Sequence, residues 1–183
     1  MKTTSYPRSR CSDFAWLLAL VVFAAGIGFA TNALRKEPLP LVYQNKLTRL
    51  AAAVARLQNS PASGPGHVIS IPERLSLEQF SDFVESKTGL VLDARPAIFY
   101  RLSHVPGALS LPRDDFEVAF QLLHSRLGSD YSRPLMIYCT DASCADATLV
   151  KKALTALGYS NVAIFVGGWS EWTGADKATV SEP

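Results

Sequence analysis

The sequence predicts an α/β protein: a central parallel sheet of about five strands flanked by helices, preceded by an N-terminal transmembrane helix. Three observations carry this. Short apolar runs bounded by turn residues alternate with segments of helical periodicity from residue 68 onward. The runs GLVLDA, PLMIYC and NVAIFVGG are nearly continuous in apolar residues, as strands buried on both faces are. Phe14 to Leu34 contains no charged residue. As a helix that stretch is roughly 31 Å long, about the thickness of a hydrocarbon core.

Lys2, Arg8 and Arg10 precede the apolar stretch, and Arg35 and Lys36 follow it. Part of the chain's 48% hydrophobic content, against 19% charged, is concentrated there. Two readings stand, a retained single-pass membrane anchor and a cleaved secretory signal. Signal h-regions run about 7–15 residues, so length favours the anchor. Thr31-Asn32-Ala33 offers a small-x-small cleavage site and keeps the signal open. A buried soluble helix is disfavoured, because no polar face interrupts the run. Basic residues flank both ends in similar number, so the positive-inside rule leaves the orientation open. A short N-terminal flank before one helix and a domain places the domain on the extracytoplasmic (periplasmic) side. Cys11, ahead of the apolar run, reads as incidental, with lipidation the alternative. The expected organisation is a flank at 1–13, the helix at 14–34, a linker with a short amphipathic helix at 35–67, a folded domain at 68–175 and a tail at 176–183.

Within the linker, Glu37-Pro38-Leu39-Pro40 stops any helix, since proline lacks the N–H. Leu47, Leu50, Val54 and Leu57 recur at helical spacing, predicting a helix over 43–58 that packs on the domain rather than on a bilayer. Ser60 to Gly66, SPASGPG, is flexible by composition, and His67 is a loop residue. HVIS is a short strand. Ser76 caps a helix through Ser86, with Gln79 as its capping-box partner. GLVLDA and GALSLP are strands. Asp115 to Leu127 is a helix stopped by Gly128. PLMIYC is the most apolar strand, Ala145 to Leu157 a helix with Gly158 as its cap, and NVAIFVGG the last strand.

A net charge of +2 without a Lys/Arg run argues against a nucleic-acid partner. The chemistry gathers at YCTDASCADA. Cys139 stands at the carboxyl end of a strand, where ligands bind in parallel sheets. The loop Thr140-Asp141-Ala142-Ser143 then runs into a helix whose first N–H groups are unpaired and partly positive. Such a loop makes an anion nest and favours a thiolate. An activated thiol competes with three plainer roles. A buried inert cysteine is common after a strand. Zinc is disfavoured, because Cys-x4-Cys has no second Cys/His pair and His104 and His124 are isolated. A Cys139–Cys144 disulfide is feasible in an oxidising compartment if strand-to-helix geometry does not hold the sulfurs apart, and the sequence leaves this open.

Three motifs in order add to this. Asp93-Ala94-Arg95, His104-Val105-Pro106-Gly107-Ala108, and Gly167-Gly168-Trp169 with Trp172, with Tyr138-Cys139 between the last two, resemble the rhodanese family over about residues 68–175. The resemblance implies that family's α/β fold and a sulfurtransferase activity. It implies that Cys139 takes up a sulfane sulfur as a persulfide and passes it on. It also implies that the backbone from Thr140 to Cys144 binds that charge, without metal or organic cofactor. The partners implied are a small sulfur donor and a thiol or persulfide acceptor, a protein among the possibilities.

The chain departs from the pattern within the loop. Many active members carry arginine or lysine there; this loop holds Asp141 and ends at Cys144. A carboxylate at the mouth disfavours an anionic donor such as thiosulfate, and a thiol persulfide suits it better. The same loop lacks the arginine that phosphate or arsenate would need. Cys144 is either filler in the first helical turn or a resolving thiol. Ser103 stands where glycine usually precedes the histidine, with consequences confined to a turn. Asp93 and Arg95 are expected to pair, and His104 to support the loop through the backbone. Tyr138, Trp169 and Trp172 are expected to pack. Three functions follow: a membrane-anchored sulfurtransferase using Cys139, a thiol redox or sulfur-relay protein using Cys139 and Cys144, and a non-catalytic binding module of rhodanese fold.

Overall fold

The computed structural model describes residues 10–35, 45–58 and 72–182. The expected Pro-rich stop at 37–40, the SPASGPG segment, His67 and the HVIS strand lie outside those residues. The chain divides into two compact units, Met1–Gln44 and Asn45–Pro183.

In the first unit, α1 spans Arg10–Ala33 and includes Cys11. From Phe14 to Ala33 it is long and apolar enough to cross a membrane, and the stretch is not buried. Its apolar residues surround the whole helix rather than forming one stripe.

The second unit is a five-stranded parallel sheet of order β1-β5-β4-β2-β3, built from Arg74–Leu75, Leu90–Asp93, Leu109–Ser110, Leu135–Tyr138 and Val162–Phe165. Every side chain of β4, the central strand, is buried. Because side chains alternate along a strand, β2, β4 and β5 each feed both faces. Leu92, Leu135, Ile137 and Val162 join a core with α5 (Phe116–Leu127) and α6 (Ala145–Ala156). Val91, Met136, Tyr138, Ala163 and Phe165 join a second core with Phe80 of α3 (Leu77–Ser86) and Trp172 of α7 (Gly168–Gly174). The expected capping box is present: Ser76 accepts from the Gln79 N–H, and the Gln79 side chain accepts from the Ser76 N–H at 3.1 Å. Gly158 follows α6 at φ 102°, one residue beyond the Leu157 cap.

The compact unit is wider than residues 68–175. Helix α2 (Lys46–Gln58) lays Leu50, Ala53 and Val54 against α5 and α6. Gln58 donates to the Ala156 carbonyl at 2.7 Å, occupying an orphan acceptor at the end of α6. At the other end, His104 and Val180 exchange backbone hydrogen bonds of 2.8 and 3.0 Å. The Trp172 indole donates to Ala178 at 2.9 Å, so the expected tail is pinned through Glu182, whose N–H bonds the Arg101 carbonyl. Two helices were not expected: α4 (Ala97–Leu102) and α7. Each is too short to show a helical repeat, and tertiary packing rather than propensity holds such pieces.

Candidate active site

Cys139 is the first residue beyond β4, at the middle of the sheet's carboxyl edge, and is 2% exposed. The loop after it folds back on itself through Asp141. The Asp141 carboxylate accepts from the Ser143 N–H at 2.8 Å and from the Ser143 hydroxyl at 2.5 Å. The Asp141 carbonyl accepts from the Cys144 N–H at 3.1 Å. This is an Asx-turn, the ordinary behaviour of an aspartate two residues before a free N–H. It holds the Asp141 carboxyl below the usual carboxylate range, first through the Ser143 hydroxyl and then through the Ser143 N–H.

Cys144 is carried back over the strand end, with its Cα 6.1 Å from that of Cys139, and the two are disulfide-bonded. The strand end and the helix start stand close because the Asx-turn shortens the path between them. The loop's N–H groups are also not all directed at the sulfur: those of Ser143 and Cys144 bond Asp141. Those of Thr140, Asp141 and Ala142 have no hydrogen-bond partner among the described residues.

The Gly-Gly-Trp segment clamps the start of the loop. Trp169 N–H donates to the Cys139 carbonyl at 2.7 Å and Ser170 N–H to the Thr140 carbonyl at 2.9 Å. This close approach requires Gly168, which sits at φ 61° with the loop backbone against it. A Cβ there would lie 2.5 Å from the Cys139 oxygen and 3.0 Å from the Asp141 nitrogen.

Behind the loop is a buried polar network. Asp93 and Arg95, 0% and 3% exposed, form a bidentate pair, Arg95 Nε donating to Oδ1 at 3.1 Å and Nη2 to Oδ2 at 2.7 Å. Arg95 also donates to the Ser103 carbonyl at 2.7 Å. Its guanidinium lies 4.2 Å from the Trp169 ring centroid and 5.5 Å from that of Tyr138. The Tyr138 hydroxyl donates to Asp93 at 2.5 Å and accepts from the Val105 N–H at 3.2 Å. Burial and the neighbouring Asp93 carboxylate push the Tyr138 phenol far above its ordinary value. A buried ion pair is tolerated only when its polar atoms find partners, and here both Asp93 oxygens and the Arg95 Nε and Nη2 are hydrogen-bonded. The Asp-x-Arg and Gly-Gly-Trp motifs thus meet through Arg95 and Trp169, directly beneath the loop carrying Cys139.

His104 is buried beside Tyr100. It stacks on Tyr100 at 3.8 Å between centroids, and its Nδ1 lies 2.8 Å from the Tyr100 carbonyl. Ser103, in the place of the usual glycine, has φ −169°, extended backbone that any residue adopts. Val105 to Ala108 form a type II turn closed by a 3.0 Å hydrogen bond, with Gly107 at φ 77°.

Two charged residues at the site were missed from the sequence. Arg113 follows β3 and is 4% exposed. Its Nε donates to Asp146 of α6 at 2.5 Å, and its Nη2 lies 2.9 Å from Asp114, off the line of a hydrogen bond. One carboxylate oxygen of Asp146 and both cysteine sulfurs lie within 4.8 Å of one another. Such a set resembles a metal cluster, but both sulfurs are spent on the disulfide and Asp146 is spent on Arg113. No signal in the sequence joins residues 33 positions apart; the only local cue is a lone arginine among apolar residues and aspartates.

The family model of the rhodanese-like domain matches residues 76–175, and the chain belongs to that family. The 3-mercaptopyruvate sulfurtransferase of Escherichia coli K12 is 30% identical over 104 residues, covering 46% of this chain and 36% of that protein. An adenylyltransferase and sulfurtransferase of Candida albicans is 26% identical over 101 residues, covering 55% and 23%. The chain therefore spans about a third or less of the length of these curated relatives. Among solved structures, a protein from Bacillus halodurans aligns with TM-score 0.51 and 22% identity, over 59% of this chain and 76% of that one, a likeness of fold.

Proposed function

We propose that the chain is a rhodanese-like sulfurtransferase that moves sulfane sulfur through a persulfide on Cys139. The observation that carries this is the placement of Cys139, in a chain of this family, at the carboxyl end of the central strand under a loop that leads into α6. In the reduced protein, the Cys139 thiolate attacks the outer sulfur of a donor. The donor's S–S bond breaks, its thiolate leaves, and Cys139 carries the added sulfur. The unspent N–H groups of Thr140, Asp141 and Ala142 and the amino end of α6 supply the positive potential a persulfide anion needs. Asp141 and Asp146 set a negative field beside the sulfur, partly offset by Arg113, which favours thiol persulfides, whose reacting end carries at most one negative charge, over thiosulfate. The distant sulfurtransferase relatives agree in reaction class. The test is transfer from a persulfide donor to a thiol or cyanide by wild type and Cys139→Ser. Loss of turnover in the variant is expected, and equal turnover removes the assignment.

A second reading, thiol redox exchange between Cys139 and Cys144, is favoured by their disulfide. Under that reading, mild oxidation of the reduced protein restores the bridge, and Cys144→Ala abolishes it. If that substitution leaves the oxidation products unchanged, the reading is wrong.

The helix Phe14–Ala33 anchors the domain to a membrane, with the domain on the extracytoplasmic side, where a disulfide persists. A topology reporter fused after Pro183 tests the side. Reporter activity restricted to the cytoplasm overturns it.

A further inference from the structure

We propose that Cys144 is a resolving thiol, which turns the site from a sulfur carrier into a persulfide reductase that releases sulfide. This rests on the reading of Cys139 as the sulfur acceptor and adds the fate of the sulfur and the class of reductant.

The geometry favours an internal acceptor. The two cysteines are bonded across a Cα separation of 6.1 Å, within the span that a disulfide requires. Their approach does not depend on the sulfur bond alone. The Asp141 Asx-turn and the Cys144 N–H bond to the Asp141 carbonyl place Cys144 over the strand end through the backbone. Cys144 is also the N-cap residue of α6, where the helix end favours a thiolate. Cys139 is nearly inaccessible, and Cys144 is half-buried beside it. An attacking thiol held in this way reacts with an effective concentration far above that of any free thiol.

The loop also lacks what an external anionic acceptor needs. Residues 140–143 contain no cation, and the nearby Arg113 is tied to Asp146 and Asp114.

The chemistry proceeds in three balanced steps. A small-molecule persulfide, R–S–SH, gives its outer sulfur to Cys139, and R–S⁻ leaves and takes up a proton. The Cys144 thiolate then attacks the inner sulfur of the Cys139 persulfide. The bond to the added sulfur breaks, that sulfur departs with the electron pair as hydrosulfide, and the Cys139–Cys144 disulfide forms. An external dithiol reduces this disulfide by thiol–disulfide exchange and becomes a disulfide itself. The sum is R–S–SH plus a dithiol giving R–SH, H₂S and the oxidised dithiol.

The experiment uses the full chain in detergent, reduced and then freed of reductant, mixed with glutathione persulfide in a single turnover. Released sulfide and intact protein mass are followed together. Wild type is expected to release sulfide in proportion to protein and to lose two hydrogens, as a disulfide. Cys144→Ala and the more conservative Cys144→Ser are expected to keep one added sulfur on Cys139, with sulfide release lost. Sulfide release from either folded variant at the wild-type rate overturns the resolving role. So does wild type retaining its persulfide without forming the disulfide. If no sulfur is added to Cys139 in any variant, the sulfurtransferase reading falls first and this proposal with it.

Discussion

Gly168→Ala tests the clamp that α7 places on the Cys139 loop. The alanine Cβ would meet the Cys139 carbonyl oxygen at 2.5 Å and the Thr140 carbon and Asp141 nitrogen at 3.0 Å. All three are backbone atoms and cannot rotate away. The residue also sits at φ 61°, which costs a residue with a Cβ about 1–2 kcal/mol. Overpacking against fixed backbone adds about 1–3 kcal/mol. The substitution should therefore destabilise the domain by about 2–5 kcal/mol. Gly174→Ala, at the other end of the same helix, is the control. Its Cβ meets nothing within 4 Å, so it should be neutral or stabilising by up to about 1 kcal/mol. Denaturant unfolding of the two variants measures both values. Alkylation of the reduced proteins then reports whether the loop has opened, and Gly168→Ala should react faster at Cys139. Equal stability of the two variants, with unchanged alkylation, would refute the claim that the Gly-Gly-Trp segment holds the loop in place.

Three further predictions follow from the polar network and the buried phenols. Tyr138→Phe strips Asp93 of a donor and orphans the Val105 N–H, and should cost about 2–4 kcal/mol in denaturant unfolding; a loss below about 0.5 kcal/mol would show that the network is not coupled. Arg113→Gln leaves Asp146 unpaired beside both sulfurs, so alkylation of the reduced protein at neutral pH should slow about three- to tenfold. Adding Asp146→Asn should restore the rate, and an unrescued double variant would count against a charge effect. Burial pushes the phenols of Tyr100 and Tyr159 up to about 12, with Glu182 adding to the shift at Tyr100. The folded state thus holds these protons more tightly than the unfolded chain, whose phenols titrate near 10. That stability is fully present below pH 10 and drains away as pH rises towards 12. Unfolding midpoints over that window should fall, and a flat profile would show these phenols to be solvated.

The sequence made parts of this architecture readable because local chemistry repeats a local pattern. Continuous apolar runs marked β2, β4 and β5, and Ser76 with Gln79 marked the start of α3. The apolar stretch marked α1 by length alone. The Asp93–Arg95 pairing was readable because two buried opposite charges two residues apart at a strand end have few other partners. The remainder is tertiary. The short helices α4 and α7 exist by packing, with Trp172 anchored in the core and Trp169 laid over Arg95. Arg113 and Asp146 meet only because β3 and α6 bring together residues 33 apart. The proximity of Cys139 and Cys144 depends on an Asx-turn at Asp141, a residue read from the sequence only as a charge at the mouth.

In the proposed function, sulfur travels on the Sγ of Cys139. Peptide mass mapping of the reduced full-length chain after exposure to a thiol persulfide tests it most directly, with Cys144→Ala used to stop the reaction at the first step. The account predicts one added sulfur on the peptide containing Cys139, absent in a Cys139→Ser/Cys144→Ala chain. Added sulfur on Cys11 alone, or none on Cys139 in a folded protein, would contradict it.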